Sequence, residues 1–289
     1  MEEVGKEENS SHFPFSTTQI TNLTDTFFLS SLRFDCCGPA FQSFPSFLAE
    51  TGYQDVTDSA KTPFQKGHNT DLPSFQYLAQ RPELFNALQT VMTAIQSADW
   101  MTGLDIFDRS ARAAGTTTPQ TPIKPFFFVD VGGGHGHQCR RVLEKYPALH
   151  GRLVLQDLPE AVEKLAPMDG VKVMAQDFFQ KQAVQDAQFY YLRRIMHDWP
   201  DASCLKILAN LSAAMTGDSR ILIDEVVLPD VNVPWQAAMT DVSMACQLAG
   251  KERTRAQWES LVQQSGLRLV QIHTYNRLLY TSVIVLEKQ

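Results

Sequence analysis

Chemistry could come from a few residues whose types and settings stand out. His197 lies in LRRIMHDWPD (192–201), glycines cluster in VDVGGGHG (129–136), and Asp157 and Asp177 each close an apolar run. An imidazole with a reference pKa near 6.5 exchanges protons at neutral pH and can act as a general base. A histidine in a turn is equally an ordinary structural residue, and the decapeptide alone leaves the choice open. Its aspartates have structural work: Asp198 can cap the helix expected over about 201–215, with Pro200 tolerated in the first turn. Glycines between a strand and a helix let the chain turn sharply and let a ligand approach the main chain. The nicotinamide fingerprint GxGxxG is incomplete, because its third glycine position holds His137. At successive strand ends, Asp157 can accept from ribose hydroxyls and Asp177 can reach an adenine amino group. This combination favours an adenosine-containing cofactor that need not carry phosphates. His135, His137 and Cys139 are of ligand type, but a closed zinc site needs four converging ligands, so no metal is expected.

Elements must hold these residues in place. Of 289 residues, 44% are hydrophobic, enough for a large core. The net charge of −7 and pI near 5.5 provide no basic field for nucleic acid. The acidic, polar start MEEVGKEENSS lacks a signal-peptide pattern, and no apolar run approaches membrane-spanning length. Five cysteines without CxxC spacing fit reduced thiols, so a cytoplasmic protein with a small-molecule substrate is expected. Residues 1–11 read as a disordered tail and 12–109 as a helical segment, with Phe75, Leu78, Leu84, Leu88, Val91, Met92 and Ile95 at helical spacing and a break near Pro82. The Thr/Pro-rich 110–125 reads as a linker or loop.

From 126 to 289 short apolar runs alternate with helical stretches: FFFVDV, LVLQDL, VKVMAQD, QFYYLRR and RILIDEVVL. Such runs imply a parallel sheet covered on both faces. Near the end, RLVQIHTY (268–275) and LLYTSVIVLEK (278–288) are separated by Asn276-Arg277 alone, which forces an antiparallel hairpin. The expected class is therefore α/β: a Rossmann-like, mostly parallel sheet with a C-terminal antiparallel hairpin, preceded by a helical segment.

In order and approximate spacing, VDVGGGHG, LQDLP, AQDFF, LRRIMHDWPD, IDEVVLPD and LAGKERT, with TPFQKGHNTD upstream, resemble the plant-type and fungal S-adenosylmethionine-dependent O-methyltransferases, which have the class I methyltransferase fold. The resemblance runs from about Gly52 to the end. It implies that Gly132, Gly133 and Gly134 line the methionine half of S-adenosyl-L-methionine, that Asp157 holds its ribose, and that Asp177 and Phe178 frame its adenine. Arg193 stands where the family usually has a cofactor-contacting lysine. His197 falls on the family's general base, and Glu225 and Glu252 on the two acids that flank it. The chemistry agrees, since a neutral hydroxyl attacks a methyl sulfonium poorly until a base removes its proton, and a carboxylate on the far nitrogen stabilises the imidazolium.

The activity so implied is methylation of a hydroxyl on a hydrophobic, phenolic or polyketide-type secondary metabolite. Trp235, Met239, Met244 and Phe107 are candidate pocket linings, though such residues are more often core. The family's N-terminal winged-helix-like module makes its homodimer, and 1–45 show no counterpart, so the N-terminal region reads as shortened. Two alternatives stay open: a pericyclase or dehydratase-like member that does not methylate, and a subunit needing a partner to supply that half.

Overall fold

The computed structural model describes residues 32–94, 99–115 and 124–289. The expected tail and residues 12–31 lie outside them, as do residues 116–123 of the expected linker.

A π-helical turn, Leu32–Cys37, leads into α1 (Gly38–Glu50), followed by α2 (Pro63–His68), α3 (Ser74–Ala79), α4 (Pro82–Ala94) and α5 (Asp105–Gly115). Thr62 starts α2 with a capping box closed by Gln65. Helix α5 runs into the stretch read as linker, so that stretch begins after Gly115. The reason is burial: Ala111 extends the apolar stripe begun by Phe107, and the Thr/Pro signal starts only at residue 116.

The remainder alternates strands and helices: β1 (Phe128–Val131), α6 (His137–Lys145), β2 (Leu153–Asp157), α7 (Pro159–Val162), β3 (Val171–Ala175), β4 (Phe189–Arg193), α8 (Asp201–Ala214), β5 (Arg220–Leu228), α9 (Trp235–Leu248), β6 (Arg253–Thr254), α10 (Arg255–Gln264), β7 (Leu267–Asn276) and β8 (Thr281–Lys288). The sheet order is β3-β2-β1-β4-β5-β8-β7, with β6 paired beside the end of β5. Strands β1 to β5 are parallel, whereas β8 runs antiparallel to both β5 and β7. The terminal hairpin is present with a longer turn than expected, since pairing stops at Asn276 and resumes at Thr281.

Alternation along the strands fills both layers. Tyr190, Leu192, Ile221 and Ile223 join Ile207, Leu208 and Leu211 of α8 and Trp258 of α10 on one side. Phe128, Phe189, Tyr191 and Leu222 meet Trp100, Phe107 and Leu149 on the other. Both faces are thereby covered, as parallel strands require. Phe107 is fully buried against Phe127, Phe128 and Phe189, so it belongs to the core and lines no pocket. The N-terminal helices form a third cluster, Cys36, Ala40, Phe64 and Leu78, which docks on α9 through Cys246. His68 locks it, one ring nitrogen 3.1 Å from the Tyr77 hydroxyl and the other 2.8 Å from the Cys36 carbonyl.

Strand order reverses at β1, whose neighbours β2 and β4 lead to crossovers on opposite sides. In open α/β sheets the crevice at that switch point, beyond the strands' carboxyl ends, takes the ligand. The glycine loop after β1 and the His197 turn after β4 both open there.

Candidate active site

The glycine loop is shaped by close approach. Gly132 has φ 71°, and a Cβ there would fall 2.6 Å from Ile195 Cδ1; at Gly133 it would fall 2.6 Å from the Asp130 carboxyl carbon. The Gly134 amide donates to Asp157 Oδ2 at 2.8 Å, and the Leu158 amide donates to Oδ1 at 2.7 Å. The Asp157 carboxylate thus ties β2 to the loop after β1. A carboxylate has about four acceptor sites, so capacity remains for ribose hydroxyls. Asp177 turns one oxygen to the Phe179 amide, 2.8 Å away, while Phe178 meets Phe179 and Trp199 edge-on and approaches the Gly132 position. Gly132, Gly133, Gly134, Asp157, Asp177 and Phe178 therefore surround one edge of the crevice, with no Cβ to fill it at the loop. That arrangement fits an adenosine-bearing group.

Arg193 is the last residue of β4. Its Nη1 bonds Asp224 Oδ2 at 2.7 Å, and Asp224 also accepts from the hydroxyls of Tyr191 (2.6 Å) and Tyr275 (2.7 Å). Asp224 and Glu225 are adjacent on β5 and point to opposite faces, as side chains of a strand must. Sequence reasoning missed Asp224 and Tyr275 because their partnership spans β4, β5 and β7.

On the other face stand the three residues predicted to act on a proton. Leu192 ends the buried part of β4, and a 3₁₀ turn, Met196–His197–Asp198, follows. His197 Nδ1 lies 2.9 Å from Glu252 Oε1. Glu252 is acceptor-only when ionised, so Nδ1 carries the hydrogen and donates. Glu225 plays a different part: its Oε1 accepts the amides of Met196 (2.9 Å) and His197 (3.3 Å), and its Oε2 stays 3.9 Å from Nδ1, beyond a hydrogen bond. One acid orients the ring and the other holds the turn. Ligand-type atoms of His197, Glu225 and Glu252 come within 4.8 Å of one another.

Asp198 departs from the expectation. It makes no cap for α8, whose N-cap is Pro200, because the 3₁₀ turn rotates its carboxyl toward the imidazole, with Oδ1 3.4 Å from Nε2. Burial is the main force on these groups. It raises the Asp198 carboxyl to about 6 despite the neighbouring imidazolium, and it raises Glu225 as well. Burial also opposes a charge on His197, but Glu225, Asp198 and Glu252 together outweigh it and lift the imidazole to about 9. Burial would raise Glu252 too, yet the His197 bond holds its carboxyl below the usual value.

The turn is braced from behind by the segment before β6. The Lys251 amide donates to the His197 carbonyl at 2.9 Å. The buried Arg253 guanidinium reaches the carbonyls of Met196 and Trp199, each at 2.9 Å, and Asp201 Oδ1 at 2.7 Å. Gly250 is obligatory here, because a Cβ would fall on the His197 carbonyl oxygen. Gly250→Ala should displace the Met196–Asp198 turn and lower stability by about 1–3 kcal/mol, since the added methyl meets backbone rather than a movable side chain. A thermal melt matching the parent's would mean the turn tolerates the shift.

His135, His137 and Cys139 do not converge. The two rings stand 6.1 Å apart, and the buried Cys139 thiol faces Asp130. Trp235 and Met239 are exposed on α9. Among the described residues no helix is long and apolar enough to cross a membrane.

A family model described as an O-methyltransferase domain matches residues 118–268. Demethylsterigmatocystin 6-O-methyltransferase of Aspergillus flavus is 40% identical over 243 residues, 84% of this chain but 61% of that relative, so the chain spans less than two thirds of the relative's length. The solved structure of LepI in complex with SAM aligns with a TM-score of 0.84 at 34% identity, over 95% of this chain and 70% of that one. A structure described as a pericyclic reaction enzyme aligns at 0.82 with 34% identity, over 92% and 68%.

Proposed function

Because the chain belongs to the O-methyltransferase family whose domain it carries, we propose that it methylates a hydroxyl of a hydrophobic phenolic or polyketide-type metabolite using S-adenosylmethionine. The observation that carries this reading is the His197 imidazole, oriented through Nδ1 by Glu252, on the same switch-point crevice as the glycine loop. The relative named for 6-O-methylation of demethylsterigmatocystin supports the acceptor class.

When bound, S-adenosylmethionine supplies a methyl group made electrophilic by its sulfonium. Gly132 to Gly134, Asp157, Asp177, Phe178 and Arg193 would hold it. His197 Nε2, the ring nitrogen left after Nδ1 is bonded, would take the acceptor's hydroxyl proton, freeing that oxygen to receive the methyl group as the sulfonium's S–CH3 bond breaks and S-adenosylhomocysteine leaves. Glu252 stabilises the imidazolium formed, and Glu225 keeps the turn that carries it. The catalytic unit spans 126–289, and the helical segment contributes to the acceptor side. Homodimerisation or a partner subunit would complete that side, and the five unpaired cysteines suit the cytoplasm.

A second reading keeps the pocket without methyl transfer, favoured by the likeness to the pericyclic reaction enzyme. Product analysis separates the two: formation of S-adenosylhomocysteine with each turnover supports methylation, and substrate conversion without it supports the second. Calorimetric titration with S-adenosylmethionine comes first. Asp157→Ala should weaken that binding at least about tenfold, by loss of charge-assisted hydrogen bonds. Unchanged affinity would refute the ribose assignment.

A further inference from the structure

Arg194 is conspicuous for its backbone. It lies at φ 53°, in the left-handed region that bulky residues avoid, directly beyond β4. Its amide donates to the Asp224 carbonyl at 3.2 Å, which continues the pairing of β4 with β5 as the chain turns away. Two consecutive arginines consequently serve opposite faces. Arg193 goes to Asp224, while Arg194 Nη1 lies 3.5 Å from Glu252 Oε1, the oxygen that also receives His197 Nδ1. A non-glycine residue kept in a strained conformation beside a reactive cluster suggests a use for its side chain.

The cluster has a charge problem. Asp198 on the 3₁₀ turn, Glu225 on β5 and Glu252 before β6 all face one imidazole, and Asp241 on α9 adds another carboxyl, bonded to the Glu252 amide at 2.9 Å. The other nearby cations, Arg253 and Lys251, are bound to Asp201 at 2.7 Å each, and of these Arg253 favours the ionised form of Glu252 only from a distance. Arg194 reaches the cluster itself, and its charge favours the ionised forms of Asp198, Glu225 and Glu252 alike. The orphaned, buried Oε2 atoms of Glu225 and Glu252 show how little other compensation the carboxylates have.

We propose that Arg194 is a positioning residue: paired with Glu252 from a left-handed backbone, it shares that carboxylate's charge with His197 Nδ1 and so sets the balance under which the imidazole takes up and releases its proton. The inference rests on the reading of His197 as the base, but the charge balance itself can be observed without any reaction.

The test is a nuclear magnetic resonance titration of the His197 imidazole in the ligand-free protein, its signal assigned by loss in His197→Ala. Removing the cation should make the imidazole hold its proton more tightly. In Arg194→Met the midpoint should rise by about one pH unit, and Arg194→Lys should restore most of it. Arg194→Gly guards against misfolding, because glycine accepts the left-handed backbone while removing the guanidinium, and it should shift the midpoint as Met does. With an acceptor in hand, turnover of Arg194→Met near neutral pH should fall roughly tenfold and recover at higher pH. A midpoint unmoved in both Met and Gly variants overturns the proposal. Lowered turnover with an unmoved midpoint assigns Arg194 a purely structural role. A shifted midpoint in a protein that methylates nothing leaves Arg194 in place and rejects the methyltransferase reading instead.

Discussion

His197→Ala lowers turnover by at least about two orders of magnitude and leaves affinity for S-adenosylmethionine within about twofold of the parent. The split follows from where the side chain sits. His197 belongs to the turn after β4, on the face with Glu225 and Glu252, whereas the groups proposed to hold the cofactor come from the ends of β1, β2 and β3 and from Arg193. Positioned general bases typically contribute about 10²- to 10⁴-fold, and alanine leaves no group to accept the hydroxyl proton. The variant should still fold, since the turn is held through backbone atoms by Glu225, Arg253 and Lys251. Parallel measurement of turnover and of calorimetric affinity checks both halves. A fully active variant would remove His197 from the base role, and lost affinity would place it in the cofactor site.

The second large effect is on pH. With the imidazole lifted to about 9, His197 is mostly protonated at neutral pH, so the basic form is a minority there. The rate of the ligand-free enzyme's encounter with substrate, kcat/KM, should therefore rise about tenfold per pH unit from 6 toward 8 and level off above 9. Stability runs the other way. A histidine whose folded-state value exceeds its unfolded value stabilises the fold fully below about 6.5, and that contribution is lost as pH climbs through about 9. A variant in which Glu252 becomes Gln should weaken both trends, because the partner that favours the imidazolium is neutral. A kcat/KM profile flat from 6 to 9 would show that some other group limits proton removal.

Much of the frame could be read from residue patterns because its causes are local. RILIDEVVL is apolar on both faces, and β5 occupies those nine positions. The helix expected over 201–215 ends at Ala214, and the run of apolar residues at three- and four-residue spacing explains why. The trio was legible only through ordered motifs, since Glu225 and Glu252 taken singly look like a strand-end acid and a first-turn acid. What escaped depends on distance in the chain. Asp198 has the same sequence neighbours whether it caps α8 or faces Nε2, and the 3₁₀ turn decides. Phe107 could line a pocket or fill the core, and the aromatic packing around Trp100 decides. Arg194 differs from Arg193 by one position, and only the tertiary arrangement of β5 and the segment before β6 puts Glu252 rather than Asp224 within its reach.

The pairing of β5 with β8 has a bearing on how the molecule is made. During synthesis β5 emerges before α9, α10 and the hairpin, so Ile221 to Val226 wait with one edge unpaired until Thr281 to Leu286 arrive. That edge is apolar and in register to accept a strand, the kind of surface that recruits wrong partners. Tyr275 arrives with the same hairpin, so the Asp224 anchor of Arg193 is incomplete until then. Chaperone engagement should peak in the interval between translation of β5 and of β8.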